Sequence, residues 1–138
     1  MVSIKWIFEM ILLSIMGIED LKTQHIHMFW LILFTISGFL FASFGKTVVE
    51  LSVITGLFLL ISGIIVRKIS KGGVGIGDIW LIAALPLWES GDRLLAICLL
   101  AVILSGIYSI VLTLWNHSIR SVAFVPWVGI SGFILYWT

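Results

Sequence analysis

Gly73-Val74-Gly75-Ile76-Gly77-Asp78 stands between a basic segment, Arg67-Lys68-Ile69-Ser70-Lys71, and an apolar run that begins at Ile79 and ends before Glu89. Read as a helix, residues 78–88 reach only about 16 Å at 1.5 Å per residue. That is half of a hydrocarbon core about 30 Å thick. Asp78 is therefore expected to lie below the membrane surface, or on a short helix tucked against its neighbours. An acid in such a place is costly and marks a functional site by default. The glycines before it remove side-chain bulk, so another backbone or an extended substrate can approach closely. A helix N-terminus also favours the ionised acid. The plainer reading stays open: Asp is a common N-cap, here behind an ordinary glycine loop.

The rest of the chain fits a membrane setting. Of 138 residues, 61% are hydrophobic and 11% charged, and mean hydropathy is +1.23. Soluble domains carry about 25% charged residues. One membrane domain, residues 1–138, is the economical reading. The net charge of +1 argues against a nucleic-acid partner, which needs clustered Lys and Arg. Cys98 is the single cysteine and lies mid-run, which excludes a disulfide framework or a CxxC metal site.

Outward from the glycine stretch, five further apolar runs are expected: 4–18, 28–44, 48–66, 94–115 and 122–137, the last interrupted by Pro126 and Gly129. The first has a signal-peptide look, with Lys5 before an apolar core. It lacks an Ala-x-Ala-like cleavage end and is read as a span. The expected fold is an all-α integral membrane bundle of six segments, the fourth short and following the Gly-rich loop. Lys22, Arg67, Lys68, Lys71 and Arg120 fall at one set of ends, and Lys5, Lys46 and Arg93 at the other. The richer set is expected to be cytoplasmic, with both termini outside. Trp6, Trp88 and Trp137 at outer ends, and Trp30 and Trp115 at inner ends, read as interfacial anchors.

This layout puts Asp20, at the end of the first run, on the same side as Asp78. Alone, Asp20 reads as an interfacial cap among loop charges. Lys22 beside it is placed to lower its pKa or to bind anionic headgroups. His25 and His27, two apart, do not share a helical face, so no metal site is expected. Glu9 precedes Asp20 by eleven residues, three helical turns, and shares its face. It is read as an acid hydrogen-bonded to a neighbouring helix. Two carboxylates brought close cannot both ionise easily, so one keeps a proton. The pair then holds a base to activate water and an acid to protonate a carbonyl or leaving nitrogen.

A rival reading makes Val74-Gly75-Ile76-Gly77-Asp78 an ion filter, since it resembles the Val-Gly-Tyr-Gly-Asp of potassium channels. That architecture needs an apolar pore helix directly before the filter, where this chain has basic residues, and a Thr where it has Gly73. A dinucleotide loop also fits poorly, because neither Gly73 nor Gly75 opens a full GxGxxG after a strand.

Three stretches, taken in order, resemble the type IV prepilin peptidase family, which includes the preflagellin peptidases. Asp20-Leu21-Lys22-Thr23-Gln24-His25-Ile26 is similar to its Asp-Leu-Lys/Arg-x-x-x-Ile. Gly75-Ile76-Gly77-Asp78-Ile79-Trp80-Leu81 is similar to its Gly-x-Gly-Asp-x-Lys-Leu, and Val122-Ala123-Phe124-Val125-Pro126 to its Ile-Pro-Phe-x-Pro. The chain departs at His27-Met28, where the family has Pro-Asn, at Trp80 in place of Lys, and at Ala123 in place of the first Pro. These departures bear on substrate choice, and both acids are present. The resemblance implies an aspartyl endopeptidase with Asp20 and Asp78 catalytic and Gly75, Gly77, Lys22 and Pro126 shaping the site. It implies no cofactor or metal. It implies cleavage without the methylation of longer members, whose cysteine-containing loop has no counterpart here. The implied partner is a small precursor with a basic leader and an apolar helix, cut near the cytoplasmic face. A second class of function, a membrane partner that binds such precursors without cutting them, shares the same features.

Overall fold

The computed structural model describes residues 3–45, 49–89, 91–115 and 122–138. Lys46 and Arg120, two of the charges used for orientation, lie outside the described residues, as does the whole of the expected loop at 116–120. Among the described residues the secondary structure is entirely helical: α1 (Ile4–Thr23), α2 (Met28–Phe44), α3 (Val49–Ile69), α4 (Ile76–Ala84) with a 3-10 turn (Leu85–Leu87), α5 (Gly91–Trp115) and α6 (Val125–Trp137).

Two of these helices, α3 and α5, are long and apolar enough to cross a bilayer. Only 6% and 17% of their apolar windows are buried, so their Leu, Ile, Val and Phe side chains face outward. A core helix of a soluble protein buries such a surface; an outward one is suited to lipid. The six helices match the six expected runs in number and order, but α1, α2, α4 and α6 do not meet that length and apolarity on their own.

Boundaries follow local chemistry. The Ser3 hydroxyl caps α1 by accepting the Trp6 N–H at 3.2 Å, and Gln24 ends the helix in the left-handed region at φ 54°. The helix thus runs past residue 18, and Asp20 sits on its last turn instead of in a loop. The α3 helix likewise continues through Arg67 and Lys68, whose charge suits a helix C-terminus. Gly75 occupies the N-cap of α4, so the helix begins two residues before Asp78. It tightens into a 3-10 turn at Pro86, which has no N–H to continue the α ladder.

The core lies between α1, α2, α4 with its 3-10 turn, the first half of α5 (Leu94, Ile97 and Ala101) and α6. Trp88, expected at an outer interface, is instead 2% exposed inside it. Its indole N–H donates to the Phe34 carbonyl at 3.0 Å, and its ring stacks on Phe34 at 5.1 Å. Satisfying that N–H is what allows so large a ring to be buried. Cys98 is half-buried on the rim of this core.

Candidate active site

Asp20 comes from the last turn of α1 and is buried, at 5% exposure. Its Oδ2 accepts the backbone N–H of Val125 at 3.2 Å, and the Phe124 N–H also donates to this carboxylate. These groups open α6, where the first N–H groups have no partner within the helix. Asp20 therefore caps α6 from another helix, and the dipole of α6 favours a negative charge there. Pro126, in the first turn of α6, has no N–H needing a partner. It lies against Gly17, one turn before Asp20, where an added Cβ would stand 3.4 Å from the Pro126 Cα. That close approach brings the two helices together at the level of the acid.

Asp78 lies in the first turn of α4, half-buried. The carboxylates of Asp20 and Asp78, fifty-eight residues apart in the chain, lie within electrostatic reach of each other. Gly75 faces the Asp78 side chain: a Cβ there would stand 3.0 Å from Oδ2. Gly77 faces Ile26, whose Cδ1 would lie 3.3 Å from an added Cβ. The first and second motif stretches thus touch directly, Ile26 of one against Gly77 of the other. The loop before α4 is braced from α3, where the Arg67 Nη1 donates to the Val74 carbonyl at 2.7 Å.

Of the sequence-expected residues, Asp20, Asp78, Gly75, Gly77 and Pro126 gather at one end of the bundle. Lys22 is exposed on the last turn of α1, and His25 is the loop residue within electrostatic reach of Asp20. His27 pairs through its Nδ1 with the Glu19 carboxylate, and its backbone N–H donates to Glu19 Oε2 at 3.1 Å, which clips the α1–α2 connection shut. Trp80 donates its indole N–H to Thr35 Oγ1 at 3.0 Å, tying α4 to α2.

Three participants escaped the sequence reading. The last run was expected to start at 122 with Pro126 as an interruption; α6 instead starts at Val125 with Pro126 in its first turn, and nothing local tells that its N–H groups land on Asp20. The Ile26–Gly77 and Arg67–Val74 contacts carry no signature in either stretch. The ion-filter reading meets a physical obstacle as well. The Val74 carbonyl is taken by Arg67, and α4 begins at Ile76, so this loop does not present the row of free carbonyls that a filter requires.

No curated protein and no solved structure matches this chain. A family model does, that of the type IV leader peptidase family, over residues 7–110. The matched region holds both acids and the glycine loop, and stops short of α6. By this match over most of its length, the chain belongs to the type IV leader peptidase family.

Proposed function

We propose that this chain is an aspartyl endopeptidase set in a six-segment membrane bundle. It removes the leader from small secreted or pilin-like precursors near the cytoplasmic face. The observation that carries the reading is that Asp20 and Asp78, from distant stretches, lie within electrostatic reach of each other in a chain of a leader peptidase family. Lys22, Arg67, Lys68 and Lys71 flank these acids along the chain, which supports the cytoplasmic assignment of that end.

The two carboxylates have different surroundings, and that suggests different roles. Asp20 accepts backbone N–H groups, and a carboxylate that only accepts suits that position. Asp20 then carries the negative charge and acts as general base. Asp78, near that charge, keeps the proton and acts as general acid. Asp20 takes a proton from water as the water oxygen bonds to the scissile carbonyl carbon. Asp78 gives its proton to the carbonyl oxygen, and the pair forms a gem-diol. In collapse, one diol hydroxyl returns its proton to Asp78, the C–N bond breaks, and the proton on Asp20 passes to the leaving nitrogen. Both acids regain their starting states, and no metal or cofactor takes part.

The test is co-expression with a precursor that carries a basic leader and an apolar helix. Wild-type chain should shift its mobility. Asp20→Asn and Asp78→Asn should each cut the rate by about 10²–10⁴-fold, the usual weight of a general acid or base, while still accumulating in membranes. Cleavage at the wild-type rate in either variant would remove the dyad. A binding partner without catalysis gives no shift from the wild-type chain.

A further inference from the structure

An open groove of about 660 Å³ runs between α2, α3 and α4, and nothing in the peptidase reading uses it. Its walls are apolar, with Phe39 and Leu40 on one side, Leu57 and Leu60 on the other, and Ile79 and Ala83 as its floor. At the end nearer the glycine loop lies a second recess of about 490 Å³, lined by Arg67, Lys68 and Lys71. Ile64 and Ile76 line both, so the two recesses adjoin, an apolar trough beside a basic mouth.

That pattern suits a molecule with an apolar tail and an anionic head. It does not suit the apolar helix of a precursor, for two reasons. A basic leader would meet the like charges of Lys68 and Lys71. The trough also lies on the wrong face of α4. Its residues there, Ile76, Ile79, Trp80, Ala83 and Leu87, recur every three or four positions and form one face. Asp78 is two positions from both Ile76 and Trp80, about 200° around the helix at about 100° per residue. A chain seated in the trough is therefore separated from the carboxylates by the body of α4.

We propose that these adjoining recesses bind an anionic phospholipid, with its acyl chains in the trough and its phosphate at Lys68 and Lys71. Basic pockets between membrane helices are the usual seats of such headgroups. Arg67 already holds the Val74 carbonyl, so a lipid head here sits beside the loop that carries Gly75 to Asp78. The binding itself is independent of the peptidase reading.

The test is native mass spectrometry of the full-length chain, stripped of lipid in detergent and re-supplied with phosphatidylglycerol or phosphatidylcholine of the same acyl chains. Wild-type chain should retain phosphatidylglycerol at least tenfold better. The Lys68→Gln/Lys71→Gln variant should retain the two within twofold of each other. Ser52→Trp, which fills the trough from α3, should lower retention of both at least fivefold. Equal retention of the two lipids by wild-type chain overturns the proposal, and that arm needs no variant. A preference unchanged in Lys68→Gln/Lys71→Gln overturns it too, as does one-for-one displacement of the lipid by a synthetic precursor segment. The last result would make the trough the seat of the substrate.

Discussion

Gly75 shows how much of the candidate site rests on a missing methyl group. Its backbone, at φ −67° and ψ 141°, is one that any residue adopts, so conformational freedom is not the reason for glycine here. The reason is space: a Cβ would press on the Asp78 carboxylate from 3.0 Å. Gly75→Ala should leave the fold in place, at a cost of no more than about 1 kcal/mol for a poorer N-cap. It should lower the cleavage rate about 10-fold, since moving a catalytic group by a full 1 Å costs on the order of 10²-fold. A purified-enzyme rate beside a thermal unfolding curve checks both, and an unchanged rate would mean that the Asp78 side chain has room to spare. The presence of the glycines was plain from the sequence. Their separate duties were not, because Gly75 faces its own helix's acid while Gly77 faces Ile26 of another segment.

Helices α1 and α4 each carry acids eleven residues apart: Glu9 and Asp20 on α1, and Asp78 on α4 with Glu89 just past its 3-10 turn. Asp20 lies within electrostatic reach of Asp78 at one end, and Glu9 shares a hydrogen bond with Glu89 at the other. Glu9 was expected to be hydrogen-bonded to a neighbouring helix, and its partner lies in the turn before α5; the helical period put it on the face of Asp20. Naming Glu89 required the packing of the α4–α5 turn against α1. Burial pushes the Glu89 carboxyl above its ordinary range, against the pull of Arg93 and Lys5. A carboxyl raised by folding favours the folded state while it is protonated. Its contribution is thus full below the ordinary carboxylate range and is lost as pH rises through the raised value. Thermal stability in detergent should therefore decline with rising pH across that interval. Because Glu89 shares its proton with Glu9, the double variant Glu9→Gln/Glu89→Gln, neutral at every pH and still able to hydrogen-bond, should flatten the decline; an equally steep slope in that variant would place its origin elsewhere.

Across the whole molecule, what the sequence made legible was the order of the apolar runs and that the two acids fall at the same end of the bundle. Both follow from patterns that any membrane helix must obey. Less legible were the helix ends, because α1 continues through its terminal charges to Thr23 and α3 through Arg67 and Lys68. Trp88 was misplaced for a related reason. Tryptophan at a helix end usually marks an interface, but the Phe34 carbonyl gives this one a partner inside the core. The capping of α6 by Asp20 links positions 105 residues apart, which no local pattern encodes.

The central claim is that Asp20 and Asp78 act as one unit, and a double-mutant cycle on precursor cleavage addresses it most directly. Residues that act together lose nearly everything when either is removed, so the second loss adds little. The rate of Asp20→Asn/Asp78→Asn should match that of the slower single variant. Losses that multiply would show two groups acting separately, and wild-type cleavage in either single variant would show that the missing acid is not needed at all.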